Sequence, residues 1–217
     1  MAPSPHKLSD GRPALQLVRA DAPSDEELLE GVLAGDASWA EAFTRRVWPT
    51  VVTAVRRLLG DADADCEDVA QVAVMEVLAS VRRFRRQGTL DAWVRTVTAH
   101  TVYKQLRRKG LERKLFTALE AAEPERSRLP GPQAALRVRD AVSRVLAHLG
   151  QVDLDRATAW ALHDVHGYAL KEIAEITQVS EAAAQTRLSR GRRELLERLQ
   201  RDGALAELLS ELEGDLP

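Results

Sequence analysis

The sequence predicts an all-α protein with two helical domains joined by a flexible linker. Apolar residues recur at three- and four-residue spacings in several long segments, which is the period of amphipathic helices. The chain has 217 residues, 45% of them hydrophobic, which suffices for two small cores. Between residues 113 and 132 the pattern weakens and ends in Leu-Pro-Gly-Pro, which predicts the linker.

The two ends of the chain differ from the helical segments. Residues 1–23 are rich in proline and show no sustained period, so we predict a disordered N-terminal tail. Residues 201–217 carry five acidic residues and no base after Arg201, and we predict an acidic C-terminal tail.

The first domain is predicted over residues 24–112. Its helices are expected at about 24–34, 38–59, 66–84 and 89–109. Ser24 or Asp25 would cap the first helix, and Pro49 would kink or interrupt the second. Val72 is expected in the core of the third helix together with Val69 and Val77.

The second domain is predicted over residues 133–200. Its helices are expected near 134–149, 153–164, 169–176 and 180–200, and the last two form a helix-turn-helix. Ile173, Ala174 and Ile176 give the first of these two helices an apolar face. Gln178 lies where the turn usually has glycine at positive φ, at a cost of about 1 kcal/mol.

The second helix of this motif has the character of a DNA-recognition helix. Ser180 is placed to cap it, and Ala184 and Leu188 face inward. The predicted DNA contacts are Ser180, Glu181, Gln185, Thr186, Arg187, Ser189, Arg190, Arg192 and Arg193. The alternative is an ordinary helical hairpin whose second helix is solvated and salt-bridged.

The net charge is only −2, but acidic and basic residues are concentrated in different segments of the chain. Residues 61–76 contain six acids and no cation, whereas residues 82–114 contain eleven Lys or Arg against two acids. The acidic segment predicts contact with a basic protein surface, and the basic segment predicts contact with nucleic acid. Alternatively, both segments are solvated faces of one bundle.

Several classes of protein are disfavoured by what the sequence lacks. A lone cysteine, no signal-peptide pattern and no apolar run near ~20 residues predict a cytoplasmic protein without direct membrane insertion. There is no glycine-rich phosphate loop and no nucleophile constellation, so we expect no enzyme activity and no cofactor. His163 and His166 have no further His or Cys nearby, and we expect no metal site.

Four segments together resemble region 2 of a bacterial RNA polymerase sigma factor. They are Asp65-Cys-Glu-Asp-Val-Ala-Gln71, the apolar helix to Arg83-Phe84, Gly88-Thr-Leu-Asp-Ala-Trp-Val-Arg95 and Leu106-Arg-Arg-Lys109. The helix-turn-helix resembles region 4. Because both occur in order over roughly 24–200, with a linker too short for a third domain, the chain resembles the extracytoplasmic-function (ECF) class of sigma factors.

This resemblance implies binding to core RNA polymerase and promoter-specific initiation of transcription. It assigns polymerase docking to Asp65, Glu67, Asp68 and Gln71, although Val72 stands where the family is often acidic. It assigns capture of the melted minus-ten strand to a loop and the following helix. The residues implied there are Arg85, Arg86, Gln87, Arg95, His100, Tyr103, Lys104, Arg107 and Arg108. His100 stands where the family often has Asn, and Trp93 fits either a core or a stacking role.

For region 4, the resemblance implies recognition of the minus-thirty-five element. Gln185, Thr186, Ser189 and Arg190 are the candidates for base edges, and Arg187, Arg192 and Arg193 for phosphates or edges. The resemblance also implies an anti-sigma partner, and we expect a monomer in its absence. Two alternatives remain at this point: a dimeric helix-turn-helix repressor or activator, and a helical adaptor or sequestering protein that does not bind DNA.

Overall fold

The computed structural model describes residues 23–61, 63–110, 114–116 and 132–214, and these residues contain helices and no strand. The helices are α1 (Asp25–Leu33), α2 (Ala37–Leu59), α3 (Cys66–Ser80), α4 (Leu90–Lys109), α5 (Pro132–Leu149), α6 (Leu154–Trp160), α7 (Leu170–Thr177), α8 (Glu181–Leu199) and α9 (Gly203–Gly214). The all-α prediction is confirmed. None of the described helices is long and apolar enough to span a membrane.

The core of the N-terminal domain lies between α2, α3 and α4, with α1 packed on α2. Phe43, Val47 and Val51 are four residues apart and fully buried, so they form one apolar face of α2. Pro49 lies inside α2, which continues unbroken as a helix to Leu59. The predicted interruption is therefore absent.

The end of α3 differs from the prediction. This helix stops at Ser80 and a single 3₁₀ turn, Val81–Arg83, follows, whereas the sequence pattern predicted helix to residue 84. The Ser80 hydroxyl donates back to the Glu76 carbonyl at 2.6 Å, which competes with the backbone pattern of a helix. Val72 is 46% exposed, so its predicted place in the core is wrong. The buried face of α3 is made by neighbours such as Val69 and Val77 instead.

Arg46 on α2 joins three helices through two carboxylates. Its Nε lies 2.9 Å from Asp25 Oδ1 and its Nη1 lies 3.0 Å from Asp91 Oδ1. Thr50 donates from Oγ1 to the same Asp91 oxygen at 2.8 Å. Hydrogen bonding from Arg46, and then from Thr50, holds the pKa of Asp91 below its ordinary value.

This network predicts acid sensitivity of the N-terminal domain. The folded-state pKa of Asp91 lies below the unfolded value of about 3.9, so its stabilisation is complete above that pH and is lost as pH falls through the folded pKa. We expect the free energy of urea unfolding to fall below about pH 4, and to fall less steeply in Asp91→Asn. Glu41→Gln, which alters only an exposed pair with Arg45, serves as control. Parallel pH profiles for wild type and Asp91→Asn would contradict the prediction.

In the C-terminal domain, α8 packs against α6 at a glycine. A Cβ added at Gly191 would lie 2.8 Å from the carbonyl oxygen of Arg156 and 3.2 Å from its carbonyl carbon. These are backbone atoms of α6, which cannot move aside as a flexible side-chain end can. Gly191 therefore sets how closely α8 approaches α6.

We expect Gly191→Ala to destabilise the C-terminal domain by about 1–3 kcal/mol, because overpacking outweighs alanine's better helix propensity. Gly203→Ala is the matched control, since nothing lies within 4 Å of an added Cβ there. Thermal unfolding of both variants measures the difference. A Gly191→Ala variant as stable as wild type would show that the two helices adjust without cost.

The C-terminal end of the described chain is helical and packed. Arg144 and His148 on α5 contact Asp202 at 2.7 and 2.8 Å, and both hydrogen bonds lower the pKa of Asp202. Leu205 is 4% exposed. The predicted acidic tail over 201–217 thus consists, through Gly214, of helix α9 docked on α5.

The start of the predicted linker is also packed. Leu115 and Phe116 are buried, and Lys114 lies 2.7 Å from Asp63. The rest of the predicted linker, apart from the residue that begins α5, lies outside the described residues, as does the predicted tail over 1–22.

Candidate nucleic-acid interface

One face of α3 is exposed along most of the helix. Glu67, Asp68 and Gln71 are exposed on this face, and Val72 and Met75 continue it, with Met75 68% exposed. We name these five residues the docking stripe. Its combination of acidic, amide and apolar groups suits contact with a basic, partly apolar protein surface.

Asp65 does not belong to this stripe. Its carboxylate lies 3.2 Å from Lys109 Nζ and 3.9 Å from Lys114 Nζ, so it connects the start of α3 with the end of α4. The sequence places Asp65 beside Glu67, and in the fold its carboxylate pairs with Lys109 while both side chains stay 44–45% exposed.

The loop before α4 presents exposed polar residues beside an aromatic pair. The Phe84 and Trp93 rings are 5.2 Å apart and tilted by 41°. Arg85, Arg86 and Gln87 are exposed. Arg86 has φ 55 and lies 3.6 Å from Glu26 and 4.0 Å from Glu30, which ties the loop to α1.

The predicted DNA contacts on α4 differ in accessibility. Arg95, Lys104, Arg107 and Arg108 are exposed. Tyr103 is only 5% exposed, and its hydroxyl accepts a hydrogen bond from Arg107 Nη1 at 3.2 Å. Its ring is therefore covered in this arrangement, and Tyr103 presents little surface to solvent.

His100 is half-buried on α4. Burial, and then the charge of Lys104, lower the pKa of His100, which favours the neutral ring. Its Nε2 lies 3.1 Å from the side-chain amide nitrogen of Gln178 in the helix-turn-helix. A neutral ring nitrogen accepts a hydrogen bond from an amide N–H.

Two clefts flank α4 on the side that faces α7. One, of about 630 Å³, lies among Phe84, Trp93, Thr96 and the α7 carboxylates Glu172 and Glu175. The other, of about 940 Å³, lies among Tyr103, Lys104, Arg108, Gln178 and Arg187. Residues from both domains line each cleft.

Helix α8 shows the local features that the sequence predicted. The Ser180 hydroxyl accepts from the Ala183 N–H at 3.2 Å, and Ala184 and Leu188 are buried. Gln178 has φ 56, so the turn holds a non-glycine residue in the left-handed region. The exposed residues of α8 include Glu181, Gln185, Thr186, Ser189, Arg190, Arg192 and Arg193.

Two of the predicted arginine contacts are engaged within the domain. Arg187 is half-buried and lies 2.6 Å from Asp155 Oδ2. Arg192 forms a two-point ion pair with Asp164, with Nε 2.9 Å from Oδ2, and it lowers the pKa of that carboxylate. Spacing along the chain did not indicate these partners, because Asp155 and Asp164 lie outside the helix-turn-helix.

The two helical domains match two sigma-factor models. Sigma-70 region 2 matches residues 43–112, and Sigma-70, region 4 matches residues 142–195. The ECF RNA polymerase sigma factor SigM of Mycobacterium tuberculosis is 24% identical over 79% of this chain and 83% of its own length. The chain belongs to the ECF family of RNA polymerase sigma factors.

Two further sigma factors are similar to this chain. The ECF RNA polymerase sigma factor SigE of Mycolicibacterium smegmatis is 26% identical over 73% of this chain and 60% of its own length. A solved structure of the sigma factor RpoE in complex with the anti-sigma factor NepR from Bartonella quintana has 23% identity and a TM-score of 0.44. It covers 75% of this chain and 97% of that one.

Family membership gives the activity in general terms. An ECF sigma factor binds RNA polymerase and promoter DNA, directs initiation of transcription and is not an enzyme. Helices α7 and α8 are its region 4 helix-turn-helix. The two matches, in order along one chain, disfavour both the repressor and the adaptor alternatives.

Proposed function

We propose that three helices of this ECF sigma factor carry its three binding functions. Helix α3 docks on core polymerase, α4 and the preceding loop take up the melted minus-ten strand, and α8 recognises the minus-thirty-five duplex. The exposed docking stripe carries the first assignment, because α3 is fully buried on its other face and yet leaves Val72 and Met75 exposed.

The chemistry of the docking stripe supports polymerase binding. The negative charges of Glu67 and Asp68 speed the encounter with a basic polymerase surface and align the two proteins. Val72 and Met75 provide apolar area at the centre of the contact. Val72 replaces a residue that is often acidic in the family. Docking here therefore depends more on apolar contact and on the remaining carboxylates.

Strand capture requires a surface for an unstacked base and a cationic path for its phosphates. The Phe84–Trp93 pair borders the 630 Å³ cleft, and Arg85 and Gln87 are exposed beside it. Along α4, Lys104 and Arg108 continue the cationic path. Arg86, Arg95, His100, Tyr103 and Arg107 complete the proposed set.

Duplex recognition is assigned to α8. Gln185, Thr186, Ser189 and Arg190 are exposed and are proposed to contact base edges; a glutamine amide can contact adenine through two hydrogen bonds. Arg193 contacts a phosphate or a groove edge. On DNA binding, Arg187 leaves Asp155 and Arg192 leaves Asp164, and each arginine then contacts a phosphate. Ser180 and Glu181, at the start of α8, complete the proposed DNA contacts.

Charge suggests the order of assembly. A chain of net charge −2 gains little nonspecific affinity for duplex DNA, so core polymerase binds first. Docking then holds both DNA-binding domains at one spacing, which raises the effective concentration of the second contact. We place the free protein in the cytoplasm as a monomer, without membrane insertion, with an anti-sigma factor controlling access as the ECF family implies.

Run-off transcription with purified core polymerase tests the function. We expect transcripts from defined start sites on a subset of genomic fragments, only when this chain is added. Gel shifts without core are expected to show weak binding to the same fragments. Absence of any promoter-dependent transcript across genomic templates would refute the proposed function, and tight promoter binding without core would refute the proposed order.

A further inference from the structure

Two arginines of the recognition helix α8 are held by carboxylates of the same domain. The Arg187 guanidinium lies 2.6 Å from Asp155 Oδ2, and the Arg187 side chain is only 28% exposed. Arg192 makes a two-point ion pair with Asp164, whose side chain is 25% exposed. Each arginine thus already has an anionic partner before any DNA is bound.

The positions of these two arginines around α8 suit contact with DNA phosphates. At about 100° per residue, Arg187 and Arg192 lie about 140° apart across the buried face of the helix. They therefore border, at opposite edges, the exposed face that carries Arg190 and Arg193. Because a helix about 10–12 Å wide nearly fills the major groove, its two edges lie beside the two sugar-phosphate backbones.

The two carboxylates come from opposite ends of one segment. Asp155 is in the first turn of α6, and Asp164 is in the π-helical turn Ala161–Val165 that follows α6. Helix α6 packs on the buried face of α8 and approaches it most closely at Gly191. This packing brings one carboxylate to each edge of the recognition helix.

The pair between Arg192 and Asp164 has the form of a phosphate contact. Two nitrogens of the planar guanidinium face the two carboxylate oxygens, which is also how arginine binds a phosphate. Hydrogen bonding from Arg192 holds the pKa of Asp164 below its ordinary value, so the carboxylate is charged at neutral pH. A DNA phosphate would have to displace a charged group with the same geometry.

We propose that Asp155 and Asp164 act as internal substitutes for DNA phosphates, and that they lower the affinity of the free sigma factor for duplex DNA. The inference rests on the duplex contact assigned to α8 under the proposed function. A duplex must break each ion pair before the arginine can neutralise a phosphate, and the released carboxylate then repels the DNA. Docking on core polymerase offsets this loss, because it raises the effective concentration of the duplex at α8.

The two aspartates act on a part of the affinity that does not depend on sequence. Phosphates are the same at every base pair, so both ion pairs weaken binding to all duplexes alike. Base discrimination is left to the exposed face of α8. The aspartates thus limit binding of the free protein to random duplex without touching a base.

Asparagine variants of the full chain test the proposal. Asp155→Asn and Asp164→Asn remove the negative charges and keep the size of the side chains. Glu207→Gln is the matched control, because it removes one exposed carboxylate of the same domain outside the contact of α6 with α8. The probe is a fluorescein-labelled duplex of random sequence, about 30 base pairs long, followed by anisotropy at about 50 mM salt. Thermal unfolding verifies that each variant is folded.

We expect each asparagine variant to bind this duplex about two- to fivefold more tightly than Glu207→Gln, since single half-exposed ion pairs are individually modest. The double asparagine variant should bind about tenfold more tightly than wild type, because the two pairs are separate. A double variant that binds no more tightly than wild type would overturn the proposal.

A double-mutant cycle shows whether the gain acts through the paired arginine. We expect the gain from Asp164→Asn to be at least twofold smaller in an Arg192→Ala background, because no ion pair is left to break. The same holds for Asp155→Asn in an Arg187→Ala background. An equal gain with and without the arginine would be a general effect of charge and would overturn the proposal.

The cycle also separates failure of this inference from failure of the proposed function. Arg192→Ala and Arg187→Ala that weaken binding, beside asparagine variants that do not strengthen it, would overturn the role of the aspartates and leave duplex recognition by α8 intact. Unchanged affinity in all these variants, and also on replacement of Arg190 and Arg193 by alanine, would refute duplex recognition by α8 and this inference with it.

Discussion

Asp68→Arg is expected to lower promoter-dependent transcription at least tenfold, a loss of about 1.4 kcal/mol or more in the binding of core polymerase. Asp68 is one of the two exposed carboxylates of the docking stripe, and it has no ion-pair partner among the described residues. Reversal of its charge places a cation against the basic surface that the stripe is proposed to contact.

The same change should have little effect on the fold. Asp68 lies in the first turn of α3, so reversal removes roughly 0.3–1 kcal/mol of favourable interaction with the helix dipole. Circular dichroism and thermal unfolding measure that destabilisation separately from function.

Glu41→Arg provides the matched control for Asp68→Arg. It reverses an exposed carboxylate on α2 whose only described ion pair is with the exposed Arg45. Binding is measured by titration of labelled sigma factor with core polymerase, and activity by run-off transcription. Wild-type affinity of Asp68→Arg for core polymerase would show that α3 is not the docking helix.

Combined replacement of Arg190 and Arg193 by alanine is expected to weaken binding of the holoenzyme to duplex promoter DNA by about 10- to 100-fold. Both side chains are exposed on α8, and neither has an ion-pair partner among the described residues. They are therefore available to DNA without breaking an internal contact, unlike Arg187 and Arg192.

Salt dependence identifies the cause of the weaker binding. If one or both arginines neutralise phosphates, the slope of log affinity against log salt should fall by about 1 for each arginine that does so. Arg45→Ala on α2 removes an exposed cation outside the proposed interface and serves as control. An unchanged slope and unchanged affinity in the double variant would exclude both residues from the DNA contact.

Gln185 completes this test of α8. Gln185 Nε2 donates to Ser189 Oγ at 3.1 Å, so the two residues form a small polar unit on the outer face of the helix. A base-edge role predicts that Gln185→Ala changes the preferred base at one position of the minus-thirty-five element and leaves the salt slope unchanged. Transcription from a set of single-base promoter variants measures this preference.

Local features of the helices were predictable because they depend on near neighbours in the chain. The cap at Ser180, the inward positions of Ala184 and Leu188, and the positive φ of Gln178 follow from spacing and residue type, and all three are confirmed. The cap at Ser24 is confirmed in the same way, with a full capping box to Glu27.

Features that depend on packing were predicted less well. Val72 fits an apolar period but faces outward, because α3 is covered on one side only. Pro49 fits a break but lies within a continuous helix. The acidic composition from Asp202 onward suggested a tail, whereas Gly203–Gly214 is helix α9, which packs on α5. Asp202, just before α9, contacts Arg144 and His148 on α5.

Residue order alone determined the helical class, the positions of most helices, the separation of acidic and basic segments, and the two sigma-factor motifs. Only the tertiary structure decided which cations are already paired and which face of α4 is covered. Thr96 and Glu172 are 76 residues apart, and Arg192 and Asp164 are 28 apart. Such pairs carry no local period or propensity, so they form only when packing brings distant helices together.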